Sequence, residues 1–213
     1  GDQKQENLPF KSMESVFSNG KKVFVHVDGE REIVDVIQFK KEQNLRNMVI
    51  VGGYDALNVA DQIKAANISI LAPRPHSLPN QAEDDYDYNY KLPKLLADKG
   101  LLVGLETSGS MERMSTRNLP FYAGTVVAHG MEKEQALQMI TLNNAKILGI
   151  EDRLGSLEVG KDATLFISEG DALDMRTNKL TKAFIKGREL SLETHQTELY
   201  HRYSDKYQKE KTE

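Results

Sequence analysis

The stretch DRLGSLEVGKDATL, Asp152–Leu165, follows a helical segment that begins at Glu132 and ends near Gly149. Its glycines, Gly155 and Gly160, suit tight turns between strands. Beyond it, a β-rich run is followed by a strand, a bend at Lys186-Gly187 and a second strand. The chain after residue 149 is therefore predicted to form a small β domain.

Upstream, short apolar runs alternate with segments of helical length. The predicted strands are Val23–Val27, Met48–Val51, Ile68–Leu71 and Leu101–Leu105, and the predicted helices are Pro9–Asn19, Glu30–Gln43, Tyr54–Ala66 and Leu92–Lys99. Near-continuous apolar runs are typical of strands buried on both faces of a parallel sheet. Their alternation with helices predicts βαβ units with right-handed crossovers.

The stretch Asp152–Leu165, together with RNLPFYAG at Arg117–Gly124, resembles the C-terminal third of the metal-dependent amidohydrolase superfamily, in its imidazolonepropionase-like branch. The resemblance implies an α/β fold: the second half of a TIM-type (β/α)8 barrel plus the C-terminal part of a small β-sandwich. Residues 8–148 are expected to form the half barrel and residues 149–190 the sandwich portion. Residues 191–213 are expected to form a polar C-terminal helix or tail.

The C-terminal tail carries an aromatic stripe at helical spacing, formed by Tyr200, Tyr203 and Tyr207 next to Leu199. The stripe predicts a terminal helix that docks its aromatic face, with a partner-binding helix as the alternative.

Length and composition restrict the possibilities. The chain has 213 residues, whereas a closed barrel alone takes about 250. It begins with Gly1 rather than Met, so we expect a segment of a longer protein, and the resemblance implies that the missing N-terminal half of the barrel is its partner. A net charge of −4 without long single-sign blocks argues against nucleic acid and membrane partners. With no cysteine, thiolate metal sites are excluded, and neither redox compartment nor localisation can be assigned.

His26 stands at the carboxyl end of the first predicted strand, in the run FVHVD. Active sites of β/α barrels lie at this end of the strands because the βα loops converge there. In the resembled family the fifth strand ends with a histidine that binds a catalytic divalent metal, so the resemblance gives His26 the role of metal ligand. A histidine that caps a strand or helix without metal is the alternative.

Two further family positions differ in this chain. The strand-six position falls in IVGGYD, which has a Gly-Gly pair and no histidine. At strand eight, active members place an aspartate that acts as general base, a role that requires a carboxylate near the attacking water. Here the run is VGLETSG: Glu106 is its only carboxylate, and Ser108 stands where the aspartate aligns. Either Glu106 is the catalytic carboxylate or hydrolytic chemistry has been lost.

Four other residues are candidates for substrate binding. Arg74 and His76 follow the third predicted strand, and Arg74 could hold a substrate carboxylate through two hydrogen bonds. Arg117 and Asn118 follow the last strand and could orient the substrate or the strand-eight loop. The alternative for Arg74 and His76 is a proline-stiffened loop with solvated polar residues, and the alternative for Arg117 and Asn118 is a structural role.

Two hypotheses for function follow from the resemblance. In the first, the longer protein hydrolyses a non-peptide C–N bond of a small amide or cyclic amide through a metal-activated water. Its expected cofactor is a divalent metal, most readily zinc, although this segment alone could bind none. The segment alone is expected to be inactive. In the second, the protein is a catalytically inactive scaffold used for binding or assembly. Open strand edges lead us to expect a homo-oligomer or pairing with the missing half.

Overall fold

The computed structural model describes residues 7–18, 20–109 and 112–210, which divide after Lys161 into two compact units. The first unit contains α1 (Leu8–Phe17), β1 (Val23–Val27), α2 (Glu30–Glu42), β2 (Met48–Gly52), α3 (Ala60–Ala65), β3 (Ser69–Ala72), α4 (Tyr88–Asp98), β4 (Val103–Leu105), α5 (Glu112–Ser115), α6 (Leu119–Ala128), α7 (Lys133–Ile140) and α8 (Leu142–Leu148), with 3-10 turns at Ala56–Val59 and Thr116–Asn118. The predicted domain limits at 148 and 190 stay predictions.

The four strands of the first unit form one parallel sheet in the order β1-β2-β3-β4. Ile50, Ile70 and Val103 are in register across its centre and are almost fully buried. Ile33 of α2, Ile63 of α3 and Leu92 of α4 are also fully buried. A parallel α/β unit, as predicted from the apolar runs, is therefore confirmed.

Helix boundaries differ from the prediction in several places. Helix α1 ends at Phe17, and the predicted end at Asn19 lies outside the described residues. The segment expected as one helix from Tyr54 begins instead with a 3-10 turn, because Val59 leaves the helical region at φ −121° and ψ 22°. The helical segment predicted from Glu132 to near Gly149 is interrupted at Thr141, which separates α7 from α8.

Strand β4 lies at one end of the sheet order and uses helix α8 to satisfy its outer edge. Ile70 N donates to Leu102 O on the side of β3 (3.0 Å). Two side-chain amides of α8 donate to other carbonyls of the strand: Asn143 Nδ2 to Val103 O (2.8 Å) and Asn144 Nδ2 to Leu105 O (3.0 Å). These bonds pair carbonyls that would otherwise need another strand or water.

The second unit contains β5 (Leu165–Ser168), β6 (Leu180–Ile185), β7 (Arg188–Leu190) and α9 (His195–Glu210). The strands form an antiparallel sheet in the order β5-β6-β7. Lys186 and Gly187 have φ values of 51° and 77°, as two-residue hairpin turns require, so the predicted bend is confirmed.

Helix α9 leaves its tyrosines in solvent. Tyr200, Tyr203 and Tyr207 are each more than half exposed, at 68%, 51% and 56%. The expected docking of this aromatic face is therefore wrong for the structure of this chain, because the stripe buries too little of each ring. Among the described residues, no helix combines the length and apolarity that crossing a bilayer requires.

Candidate functional site

A cleft of about 260 Å³ opens at the carboxyl ends of the parallel strands. Its lining residues come from four βα connections of the first unit: His26, Asp28, Val51, Gly52, Pro73, Arg74, Ser77, Glu106, Thr107, Ser108 and Gly109. This is the edge of a parallel sheet where converging loops place binding groups. The structure thus brings together three of the six predicted site residues: His26, Arg74 and Glu106.

The position of His26 follows from strand alternation. Residues 23, 25 and 27 of β1 are half-buried, whereas Phe24 and His26 are exposed on the opposite face. His26 pairs in register with Val51 of β2, which also lines the cleft. The imidazole is therefore presented to the cleft at the end of the sheet, as a ligand or hydrogen-bonding group.

Asp28, which the sequence analysis did not select, is a fourth ionisable member of the cleft. Its Oδ1 atom accepts a hydrogen bond from Tyr54 N (3.3 Å), so the carboxylate supports the turn that follows β2. The signal in the sequence was its place directly after β1, two residues beyond His26, where strand-end carboxylates are common in active sites.

The Gly-Gly pair after β2 is required by the backbone. Gly52 and Gly53 have φ values of 101° and 81°, which side chains disfavour. A Cβ atom on Gly52 would lie 2.9 Å from Val27 O and 2.6 Å from Asp28 Oδ1. Gly53 N donates to the same Val27 carbonyl (2.7 Å), so the close approach of the two strand ends fixes this path. A histidine at Gly52 does not fit the backbone.

Glu106 follows β4 and is half-buried in the cleft wall. Its carboxylate accepts a hydrogen bond from Ser108 N, which turns it toward its own loop. Ser108 is exposed and lines the same wall. Glu106 is the carboxylate that β4 supplies to the cleft, and Ser108 N bonds to its Oε2 atom.

Arg74 and Ser77 line the cleft from the loop after β3. Ser77 Oγ donates to Arg74 O (2.9 Å), which ties the two residues into one turn. Asn89 Nδ2 then donates to Ser77 O (3.1 Å) and Leu78 O (2.8 Å), fixing the turn to α4. The cleft therefore has a guanidinium and a hydroxyl on a braced loop.

His76 is not among the cleft-lining residues, although it lies on the same loop. Its Nε2 atom is 2.5 Å from Thr125 Oγ1 of α6, and its ring centroid lies 4.9 Å from that of Tyr122. Burial and, second, the nearby charge of Arg74 lower the pKa of His76 below its usual value. These contacts give His76 a structural role between the loop and α6.

Arg117 and Asn118 are also placed away from the cleft lining. They lie in the 3-10 turn before α6, where Arg117 is exposed and Asn118 is half-buried. Asn118 precedes the first residue of α6, and Pro120 is in its first turn, where a missing N–H costs no helical hydrogen bond. The structure therefore gives both residues a place at a helix start.

The described residues do not complete a metal site. Among them, no three His, Cys, Asp or Glu side chains lie close enough together to hold an ion. His26, Asp28 and Glu106 share the cleft, but Asp28 and Glu106 already accept backbone hydrogen bonds. A metal at His26 would need ligands from beyond these residues.

Two tyrosines close the turn behind the cleft. Tyr88 OH donates to Tyr54 O (3.0 Å), and the two rings meet edge to face with centroids 5.1 Å apart. Burial first, and then the negative charge of Asp55, raise the pKa of Tyr88 to about 12. The neutral phenol is thus stabilised by folding.

This shift predicts a late alkaline titration step. The stabilisation from neutral Tyr88 is complete below pH 10, the usual pKa, and is lost as the pH rises toward 12. An ultraviolet titration of tyrosinate in the folded chain should show a last step that Tyr88→Phe removes. Tyr86→Phe, at a ring 82% exposed, should keep it. A titration of Tyr88 at pH 10 would contradict its burial.

A model of the amidohydrolase family matches residues 10–190. Imidazolonepropionase from Syntrophobacter fumaroxidans is 34% identical over 82 residues, which cover 38% of this chain and 19% of that protein. A 5-methylthioadenosine/S-adenosylhomocysteine deaminase from Teredinibacter turnerae is 34% identical over 92 residues, which cover 38% of this chain and 20% of that protein.

Similarity in structure extends over more of the chain. The crystal structure of an amidohydrolase from Thermotoga maritima superposes with a TM-score of 0.78 at 25% identity. The match covers 89% of this chain and 48% of the Thermotoga chain. The chain thus spans about half the length of that relative.

Proposed function

The chain belongs to the amidohydrolase family, and on that premise we propose that the protein containing it hydrolyses a C–N bond of a small, non-peptide amide or cyclic amide. The observation that carries the proposal is the convergence of His26, Arg74 and Glu106 on one cleft at the carboxyl ends of parallel strands. The names of the two sequence relatives support the same class of bond, since imidazolonepropionase and a deaminase are both hydrolases of the family.

We further propose that the parallel sheet is half of a TIM-type barrel and that the three-stranded sheet is the C-terminal part of a β-sandwich. The half-length match to the Thermotoga chain supports this, as does the right number of parallel strands in sequential order. On this proposal the other barrel strands, and the rest of the site, come from an N-terminal half of the protein.

Each cleft residue has a separate task in the proposed site. His26 contributes one ligand of a divalent metal, zinc in first place, whose other ligands lie outside the described residues. Arg74 binds a carboxylate of the substrate, for which a guanidinium has the matching planar geometry. Glu106, whose Oε2 atom accepts a hydrogen bond from Ser108 N, is the carboxylate that accepts a proton.

His76, Arg117 and Asn118 are proposed to act on the substrate only indirectly, since they do not line the cleft. His76 supports the loop of Arg74 through Thr125, and the other two support the start of α6. For all three we therefore favour the structural alternative of the sequence analysis over direct substrate binding.

A second function is favoured by a specific feature of the site. Gly52 cannot carry a histidine on the present backbone, and Ser108 replaces the expected aspartate. Both features support a scaffold that has kept the cleft for binding or assembly and has lost hydrolysis. For that scaffold we propose association through the edge of β1, with a second copy or with the N-terminal half of the barrel, since α8 already bonds the carbonyls at the edge of β4.

Metal content separates the two functions. We expect near-stoichiometric zinc, manganese or iron by mass spectrometry in the longest natural protein that contains this sequence, purified without chelators or a histidine tag. His26→Ala should remove most of the metal, whereas His201→Ala, at an exposed position in α9, should leave it unchanged. The 213-residue chain alone should hold little metal and show negligible hydrolysis. A metal-free long protein would reject hydrolysis through His26 and leave the binding scaffold.

A further inference from the structure

Tyr54 connects Asp28 of the cleft lining with the loop that carries Arg74, although it does not line the cleft itself. Its backbone N–H donates to Asp28 Oδ1 (3.3 Å). Its phenol oxygen accepts a hydrogen bond from Asn80 N (2.9 Å) and donates to the carboxylate of Asp84. The ring is only 5% exposed, so these bonds are formed in a protected place.

The bonds of the phenol reach the loop that carries Arg74. Asn80 and Asp84 belong to residues 73–87, which lie between β3 and α4. Asp84 Oδ2 also accepts a hydrogen bond from Gln81 N (3.2 Å), so one carboxylate organises the far part of the loop around the phenol. At the near part, Ser77 closes the turn with the Arg74 carbonyl. A long connection is thus fixed at both ends, with the phenol as its inner anchor.

We propose that Tyr54 is a positioning residue whose hydroxyl group holds loop 73–87 against the end of β2, so that Arg74 and Ser77 stand at the cleft. The inference rests on the proposed function only for the task of Arg74, and the geometry of the loop is independent of hydrolysis. Burial raises the pKa of the Tyr54 phenol, which keeps it a hydrogen-bond donor at neutral pH.

The loop has other contacts, so its response to a lost hydroxyl should be local. Asn89 Nδ2 still holds Ser77 and Leu78 when the phenol is removed. The Tyr54 ring still packs on Tyr88 after Tyr54→Phe. The variant therefore frees Asn80 and Asp84 while the core around the ring remains packed.

Amide hydrogen exchange of the full chain tests the anchor directly. In Tyr54→Phe, peptides that cover residues 78–84 should exchange at least about tenfold faster than in the unaltered chain. A tenfold change in exchange rate corresponds to the local stability lost with about one hydrogen bond. Tyr86→Phe is the matched control, since Tyr86 lies in the same loop but is 82% exposed. Equal exchange in a folded Tyr54→Phe would overturn the proposal.

Chemical labelling of arginine tests the consequence for Arg74. Phenylglyoxal should modify Arg74 at least about threefold faster in Tyr54→Phe, with Arg202 in the same sample as internal reference, because Arg202 lies on exposed α9. General unfolding would speed all arginines together. If Tyr54→Phe does not fold, Asp84→Ala, which removes the acceptor of both the Tyr54 hydroxyl and Gln81 N, should give the same Arg74 response. An unchanged rate of Arg74 labelling in both variants would reject the positioning role. Absence of metal from the longer protein would reject the proposed hydrolysis but would not affect the amide-exchange or arginine-labelling results.

Discussion

Replacement of Gly104 by alanine is expected to lower the free energy of unfolding of the first unit by about 2–4 kcal/mol. A Cβ atom at this position would lie 1.9 Å from Asn144 Oδ1 and 3.1 Å from Leu71 Cδ2. The leucine tip can rotate, but the asparagine is held through its bond to Leu105 O. Expulsion of the amide leaves that carbonyl without its donor, and the edge of β4 opens next to Glu106.

Urea denaturation followed by circular dichroism measures this effect. Gly20→Ala is the control, since its Cβ would meet only ordinary contacts, at 3.6 Å from Ser15 O, and should change the free energy by about 0.5 kcal/mol or less. A cycle with Asn144→Ala identifies the cause, because the double variant should be no less stable than Asn144→Ala alone. Full additivity of the two losses would show that the clash with Asn144 is not the reason.

The sequence predicts the parallel sheet well because each strand is a short apolar run that is recognisable without its neighbours. Val23–Val27 was predicted with the observed limits, and the run at Met48 was one residue short of β2. Apolar runs of this kind fit the buried pleat of a parallel sheet, whatever they pack against. Helix limits were less accurate, because the 3-10 turn at Ala56–Val59 depends on contacts after the Gly-Gly pair and not on periodicity.

The cleft was predictable only where a residue follows a strand directly. His26, Arg74 and Glu106 stand at or just after strand ends, and all three line the cleft. His76 is only two residues beyond Arg74, yet it turns toward Thr125, because the loop direction depends on Ser77 and its bonds. No local pattern shows that turn.

Tertiary contacts also decided which polar residues the sequence analysis missed. Tyr54 was interpreted as the start of a helix, whereas its hydroxyl bonds to Asn80 and Asp84 across a long connection. The bond partners are far apart in the chain, and neither type of residue is unusual in a loop. Such an anchor is recognisable only in the folded structure.

The backbone at the Gly-Gly pair after β2 determines whether a metal-binding side chain can be introduced there. A positive φ costs an ordinary residue about 1–2 kcal/mol. At Gly52 the cost rises, since a Cβ atom would contact Val27 O, a backbone atom that cannot rotate away. We therefore expect both Gly52→Ala and Gly52→His to lose about 3 kcal/mol or more of stability.

Gly52→His is also expected to gain no metal, although it adds an imidazole next to Val51, the residue paired with His26. A side chain at position 52 must push back Asp28, whose carboxylate supports Tyr54 N, so the new imidazole disturbs the cleft that it should complete. Thermal unfolding and zinc titration by calorimetry of the variant, with Gly20→His as control for the added side chain, measure both effects. A stable Gly52→His that binds zinc tightly through His26 would show that the backbone still accepts a metal site, and it would favour recent loss of hydrolysis over a scaffold shaped for binding.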